Sequence, residues 1–314
     1  MGIICYPELT LILFCWKNRS DYVETHIVNS IFASSGSWSI LSDIEKSIKA
    51  KIEAVGTPLK DWDVQINYGI KTGCNDAFIV DSVKRNEILN NCITEEERQK
   101  TAEFIRPILR GRDVCRYGYE WANLWIINTH NGIKGDLERI HIEDYPAIKQ
   151  HLDKYWDKIE PRADQGDTAY NLRNCAYLDE FSKPKIIYPN MTKFLPFVYD
   201  RSGVMTNQKC FIITGTHLEY LTAFFNSSLF KFCFADRFPE LQGKTRELSK
   251  IFMDEISILK INDTDECMIN KLVQDIQMEY SVNKAKRIDK FIFDLYHLSI
   301  EEQMYIGFID YGEK

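Results

Sequence analysis

Three short polar segments carry most of the side chains that could grip an anion. Between Asn67 and Asp81 the chain reads NYGIKTGCNDAFIVD, which sets Lys71, Thr72 and Asn75 beside Gly69 and Gly73 and between two apolar runs. From Arg106 it reads RPILRGRDVCRYGY, with Arg110, Arg112 and Arg116 around a single Asp113. Residues 241–246 read LQGKTR and bring Gln242, Lys244 and Arg246. Guanidinium and ammonium groups pair with phosphates and carboxylates, and short amides and hydroxyls beside glycine can act where backbone approaches a ligand closely. Ordinary turn chemistry accounts for the same residues. Arg112 and Asp113 equally suit an internal ion pair, and 241–246 equally suits a solvated loop before a helix.

The formal charge of −7 argues against a uniformly basic surface, because a net negative field repels a phosphate backbone at long range. Local balance differs from the total. Phe104 to Tyr119 holds four arginines against Asp113, a local +3. Ser182 to Lys209 holds Lys183, Lys185, Lys193, Arg201 and Lys209 against Asp200, a local +4. Aromatic residues interleave both stretches, while acid concentrates at Glu95 to Glu97 and Asp254 to Glu266. The pattern suits either a basic face on an acidic protein or solvated lysines on sheet edges. Asn207, Gln208 and Lys209 precede an apolar run and are candidates for the same surface.

Several chemistries find no support. The nine cysteines contain no CxxC pair, so neither a zinc knuckle nor a disulfide framework is indicated, and they read as reduced cytosolic thiols. The six histidines do not cluster with other ligands, so no metal site is expected. No GxG, GxxxxGK[ST], HExxH or GxSxG occurs, and no lysine follows an acid at the spacing common in metal-dependent nucleases. An asparagine-proline-proline-aromatic loop is missing as well. Catalysis by this chain alone is not expected. The apolar run Leu9 to Trp16 is too short to span a bilayer and reads as a buried strand, so the chain is expected in the cytoplasm without a membrane partner.

The elements that must position these residues follow from periodicity. Ser42 with Glu45 caps a helix near 43–55, and Val64 to Val80 reads as a hairpin whose tip is the Lys71 loop. Thr94 with Glu97 opens a helix that Arg106-Pro107 ends, and Trp121 to Asn128 reads as a strand. Pro146 opens a helix carrying Ile148, Leu152, Tyr155, Trp156 and Ile159. Lys185 to Tyr188, Phe197 to Tyr199 and Cys210 to Ile213 read as strands, and Leu221 to Phe234 as a core helix. Asp263 and Glu266 cap a helix with Ile269, Val273 and Ile276 in one stripe; Ile288, Ile292 and Leu295 resume it, and Ser299 with Glu302 caps a last short helix. The division expected is a strand-and-helix connector over 1–60, an α+β body over 61–261 and a helical tail over 262–314.

The segment Tyr68-Gly-Ile-Lys-Thr-Gly-Cys-Asn-Asp-Ala-Phe-Ile-Val, followed by Arg106-Pro-Ile-Leu-Arg-Gly-Arg-Asp113 with Tyr117, closely resembles the opening of the TaqI-like C-terminal specificity domain. Tyr145-Pro146 with Leu152, Arg162 ahead of Tyr170-Asn-Leu-Arg173, Lys183-Pro-Lys-Ile-Ile-Tyr188, Phe225-Asn226-Ser227 and Asp289 to Leu298 extend the likeness over roughly 60–300. That domain is the target-recognition part of adenine-N6 DNA methyltransferases and of type IIG restriction-modification enzymes. The resemblance implies an α+β, mixed-sheet target-recognition domain with a C-terminal helical tail, which grips double-stranded DNA for an adenine-N6 methyltransferase domain or subunit. The catalytic domain that precedes it in that family is not among these residues. A separate specificity subunit, a fragment and a relic all fit, and S-adenosylmethionine is expected only on a catalytic partner. The DNA-binding set implied is Lys71, Thr72, Asn75, Arg110, Arg112, Arg116, Asn207, Lys209, Gln242, Lys244 and Arg246, with Tyr170 and Arg173 holding the fold. A noncatalytic assembly subunit, whose helical tail pairs with a partner, is the alternative.

Overall fold

A computed structural model describes residues 3–5, 11–13 and 42–310. Within the expected strand at Leu9 to Trp16, Leu11–Leu13 pairs antiparallel with Ile3–Cys5; the rest of that run, and its burial, lie outside the described residues.

Two four-stranded sheets form the frame. In the first, Val198–Asp200, Lys185–Pro189, Cys210–Gly215 and Val64–Tyr68 lie side by side, every pair antiparallel. Its central strands are apolar at nearly every position because both faces are covered. Ile186, Tyr188, Phe211 and Ile213 face one core, whereas Ile187, Cys210 and Ile212 face another. The second sheet runs Met205–Thr206, Ile105–Leu109, Leu124–Ile127, Ile79–Asp81, its first pair parallel and the others antiparallel. The expected α+β class with a mixed sheet is therefore what the chain adopts.

The hairpin expected over Val64 to Val80 does not form. Val64–Tyr68 pairs with Cys210–Gly215 over five residues, a longer ladder than any partner within the hairpin offers, and Ile79–Asp81 joins the other sheet. The loop between them crosses from sheet to sheet. Gly69 permits the crossing: a Cβ there would sit 2.0 Å from the Asn207 carbonyl oxygen, so only glycine lets the two backbones meet. Beyond it the Ile70 amide donates to the Thr206 carbonyl at 2.7 Å, and Gly73 takes a positive φ of 67°.

The first core is built from phenylalanine and helices. Leu218–Asn226 and Ser228–Phe234 replace the single helix expected over Leu221 to Phe234; the Ser227 hydroxyl caps the second by accepting from the Phe230 amide. Likewise the helix expected after Pro146 divides into Pro146–Asp153 and Trp156–Ile159. Asp263–Met278 is capped by Asn262 rather than Asp263, because the Asn262 side chain already accepts from the Asp265 amide. Its Ile269, Val273 and Ile276, with Ile288 and Ile292 of Val282–Leu295, are buried in the first core. The apolar stripe of the helical tail is thus consumed inside the molecule. Helix Asp43–Val55 joins the same core through Ile48 and Ile52, and its Ser47 and Lys51 side chains donate to Glu302 of Ile300–Ile306 at 2.7 and 2.6 Å.

Candidate nucleic-acid interface

Three loops meet at the ends of the two sheets and enclose an open groove of about 810 Å³. One wall is the turn Gly111–Asp113 that follows strand Ile105–Leu109. Asp113 builds this turn by accepting from the Arg110 backbone amide at 2.8 Å and from its guanidinium at 3.0 and 2.7 Å. The opposite wall is the segment Met191 to Pro196, and the third is the Asn207 to Lys209 turn. Gly111 allows the first and third to touch: its Cβ would lie 2.9 Å from the Lys209 carbonyl oxygen. The Asn207 side chain shapes the third by accepting from the Lys209 amide at 3.0 Å.

Charge sets this groove apart. Arg110, Arg112, Lys193 and Lys209 line it, and among the described residues no Asp or Glu does. Arg110 is spoken for by Asp113, whereas Arg112, Lys193 and Lys209 make no ion pair among the described residues and are exposed. Elsewhere on the two basic stretches most of the charge is already balanced or buried, and half-buried Arg106 donates to the Gly203 carbonyl at 2.8 Å. Lys183 pairs with Asp179 and Glu180, Arg201 with Glu219, and Lys185 with Asp200 at 2.7 Å in the interior. Burial drives the Lys185 ammonium below its ordinary pKa, against the pull of Asp200.

The residues expected to bind DNA therefore divide. Asn75, Arg110, Arg112, Asn207 and Lys209 come together on the groove. Thr72 does not reach the surface: it is buried, and its hydroxyl donates to the side-chain oxygen of exposed Asn75 at 2.6 Å. Lys71 is exposed but paired with Asp164 at 3.0 Å, away from the groove lining. Arg116 was expected on the surface and is instead 4 % exposed, donating to the Asn226 carbonyl at 2.6 Å and lying over the Phe308 ring at 5.2 Å. Arg246 is turned inward as well, donating to the Ala235 and Phe238 carbonyls at 2.6 and 3.3 Å with Glu240 at 3.7 Å. Burial of neighbouring chain, with carbonyls left to satisfy, claims both arginines. Gln242 is exposed but lies off the groove lining, and the side chain of Lys244 lies outside the described part of the structure. Arg173 pairs with Asp164 at 3.3 Å and the Tyr170 hydroxyl donates to Asp153 at 2.6 Å, both at the surface and off the groove lining.

Lys193 and Phe194 belong to the groove and were absent from the expected set. Lys193 stood in the local +4 stretch; it has no acid within four residues, whereas Lys183 pairs with Asp179 and Glu180 just upstream, a local signal that could have set the two apart. Lys185 takes its partner Asp200 from the neighbouring strand Val198–Asp200, which no local pattern encodes.

Residues 106–258 match the family model of the TaqI-like C-terminal specificity domain. The stretch begins at the Arg106-Pro107 motif and contains every groove residue except Asn75. The fold is similar to that of the type IIG restriction endonuclease BpuSI, at 13 % identity and a TM-score of 0.50, covering 81 % of this chain and 33 % of that one. It is also similar to the type IIL restriction-modification enzyme MmeI, solved in complex with DNA, at 10 % identity and a TM-score of 0.54, covering 80 % and 35 %. The chain spans about a third of the length of these solved proteins.

Proposed function

We propose that this chain, carrying a TaqI-like specificity domain over 106–258, is the sequence-specific DNA-binding module of a restriction-modification system and positions an adenine-N6 methyltransferase or type IIG enzyme on its target. The observation that carries the reading is the groove: four basic residues without an acid, on a chain whose formal charge is −7. Three of those cations are uncompensated, so they attract phosphate without first breaking an internal pair. Asn75 and Asn207 add amides of the kind that bond base edges. In this division of labour the catalytic domain holds S-adenosylmethionine and performs the methyl transfer, and this chain supplies affinity and sequence choice.

The test is an anisotropy titration of mixed-sequence duplex DNA across a salt series. With three phosphates neutralised, log affinity should fall against log salt with a slope of about −3. The Arg112→Gln/Lys193→Gln/Lys209→Gln variant should flatten that slope and weaken binding at low salt on the order of a hundredfold. Salt-independent binding, or a variant that binds as the parent does, would overturn the groove as the interface.

A further inference from the structure

Asn131-Gly132 is the single Asn-Gly step in the sequence. It opens a loop on a cleft of about 790 Å³ that shares no lining residue with the groove. An asparagine side chain is open to attack by the amide nitrogen of the residue after it, and glycine, without a Cβ, obstructs that attack least. Here the contacts around the step fall on the atoms that the reaction uses. The Gly132 amide donates to His130 Nδ1 at 3.2 Å, so a base already holds the proton that the nitrogen must lose. Only neutral imidazole can take it, and burial pushes the His130 pKa below its ordinary value. The Asp167 amide donates to Asn131 Oδ1 at 2.8 Å, where negative charge develops as Cγ is attacked. Asn131 Nδ2, the leaving group, donates to Asp167 Oδ1 at 3.0 Å and to Asn174 Oδ1. Gly132 cannot be replaced in this turn: its φ is 73°, and a Cβ would lie 2.4 Å from the Leu137 carbonyl oxygen.

We propose that the His130-Asn131-Gly132 turn is a self-modification site, at which His130 is the general base for attack of the Gly132 nitrogen on Asn131 Cγ. The bond from the Gly132 nitrogen to Cγ forms, the bond from Cγ to Nδ2 breaks, and the proton taken from the Gly132 nitrogen leaves with Nδ2 as ammonia. Water then opens the cyclic imide to aspartate or isoaspartate, and no oxidant or cofactor takes part. The product sets a carboxylate where Nδ2 donated, against the Asp167 carboxylate and the Asn174 side-chain oxygen. Like charges then push the 131–139 loop away from Asp167.

The experiment follows conversion at Asn131 by peptide mass spectrometry on the full chain at neutral pH, in buffer and in urea. The folded chain should convert at least about tenfold faster than the unfolded one, because the fold holds base, nitrogen and carbonyl together. His130→Gln should slow the folded chain about a hundredfold and leave the rate in urea unchanged. Folded conversion no faster than unfolded overturns the proposal, since the step would then react without help from the fold; this comparison needs no variant to fold. Equal rates in the parent and in folded His130→Gln overturn it too, as does an Asn131 that keeps its amide throughout. Asn131→Asp carries the product's charge, so limited proteolysis should cut its 131–139 loop faster than the parent's. Unchanged cutting would overturn the loosening of the loop.

Discussion

The groove and the Gly69 to Gly73 loop look alike as sequence, each a glycine with a cation and an amide nearby, and they end up opposite in kind. In the loop, Lys71 is paired with Asp164, Thr72 is buried, and the Arg162 guanidinium donates to the Thr72 carbonyl while lying 4.4 Å from the centre of the Phe78 ring. In the groove, Arg112, Lys193 and Lys209 have no such partners among the described residues. The contrast teaches that a cation marks a binding surface only when the fold leaves its charge unanswered. A cation already paired carries its partner carboxylate to the phosphate as well, and that negative charge offsets part of the attraction.

The sharpest way to probe the loop's side of this comparison is Gly69→Ala. The Asn207 backbone that the new Cβ would strike is held by its own amide on the Leu109 carbonyl at 3.0 Å and by the Cys210 amide at 2.9 Å, so it cannot easily retreat. Urea denaturation should show a loss of about 3 kcal/mol or more; a loss under about 1 kcal/mol would mean that the crossing between sheets is not a fixed support. The next effect is smaller and acts on the other side. Asn75→Asp keeps the oxygen that accepts from Thr72 and sits at the start of the short helix Asn75–Phe78, where a carboxylate is tolerated. It also sets a negative charge on the groove lining. Duplex affinity should fall about tenfold, with unchanged stability. Unchanged affinity would place the bound phosphates elsewhere.

How much of this was legible in the sequence differs between the two regions for a physical reason. Helix starts are local, so Ser42 with Glu45 and Ser299 with Glu302 form the capping boxes expected. The strands at Lys185–Pro189 and Cys210–Gly215 were legible because burial on both faces leaves a continuous apolar run. The Val64 to Val80 hairpin failed because a strand's partner is chosen by the whole sheet. The expected site residues divide between groove and interior for the same reason on a smaller scale. Arg112 and Arg116 lie four apart in one basic stretch, and one is exposed on the groove while the other is buried under Phe308. Nothing within that stretch encodes the difference, since Asn226 and Phe308, which claim Arg116, arrive from over a hundred residues away.

The smallest expected effect is therefore the most discriminating one. Lys71 is the residue that sequence alone would choose first: a lone lysine in a glycine-bounded turn at the head of a motif. Its ammonium lies 3.0 Å from Asp164, which also receives Arg173 at 3.3 Å, and it is not on the groove lining. Lys71→Gln removes one partner of a surface pair, and Arg173 remains to answer the carboxylate. Stability should change by less than about 0.5 kcal/mol, and duplex affinity by less than about twofold with the salt slope unaltered. The same anisotropy series that reads Asn75→Asp reads this variant, so two substitutions four residues apart in the chain are compared under one condition. A slope shallower by about one unit in Lys71→Gln would mean that DNA displaces Asp164 from Lys71. The loop would then be a second arm of the interface, and pairing in the unbound chain would no longer separate the two regions.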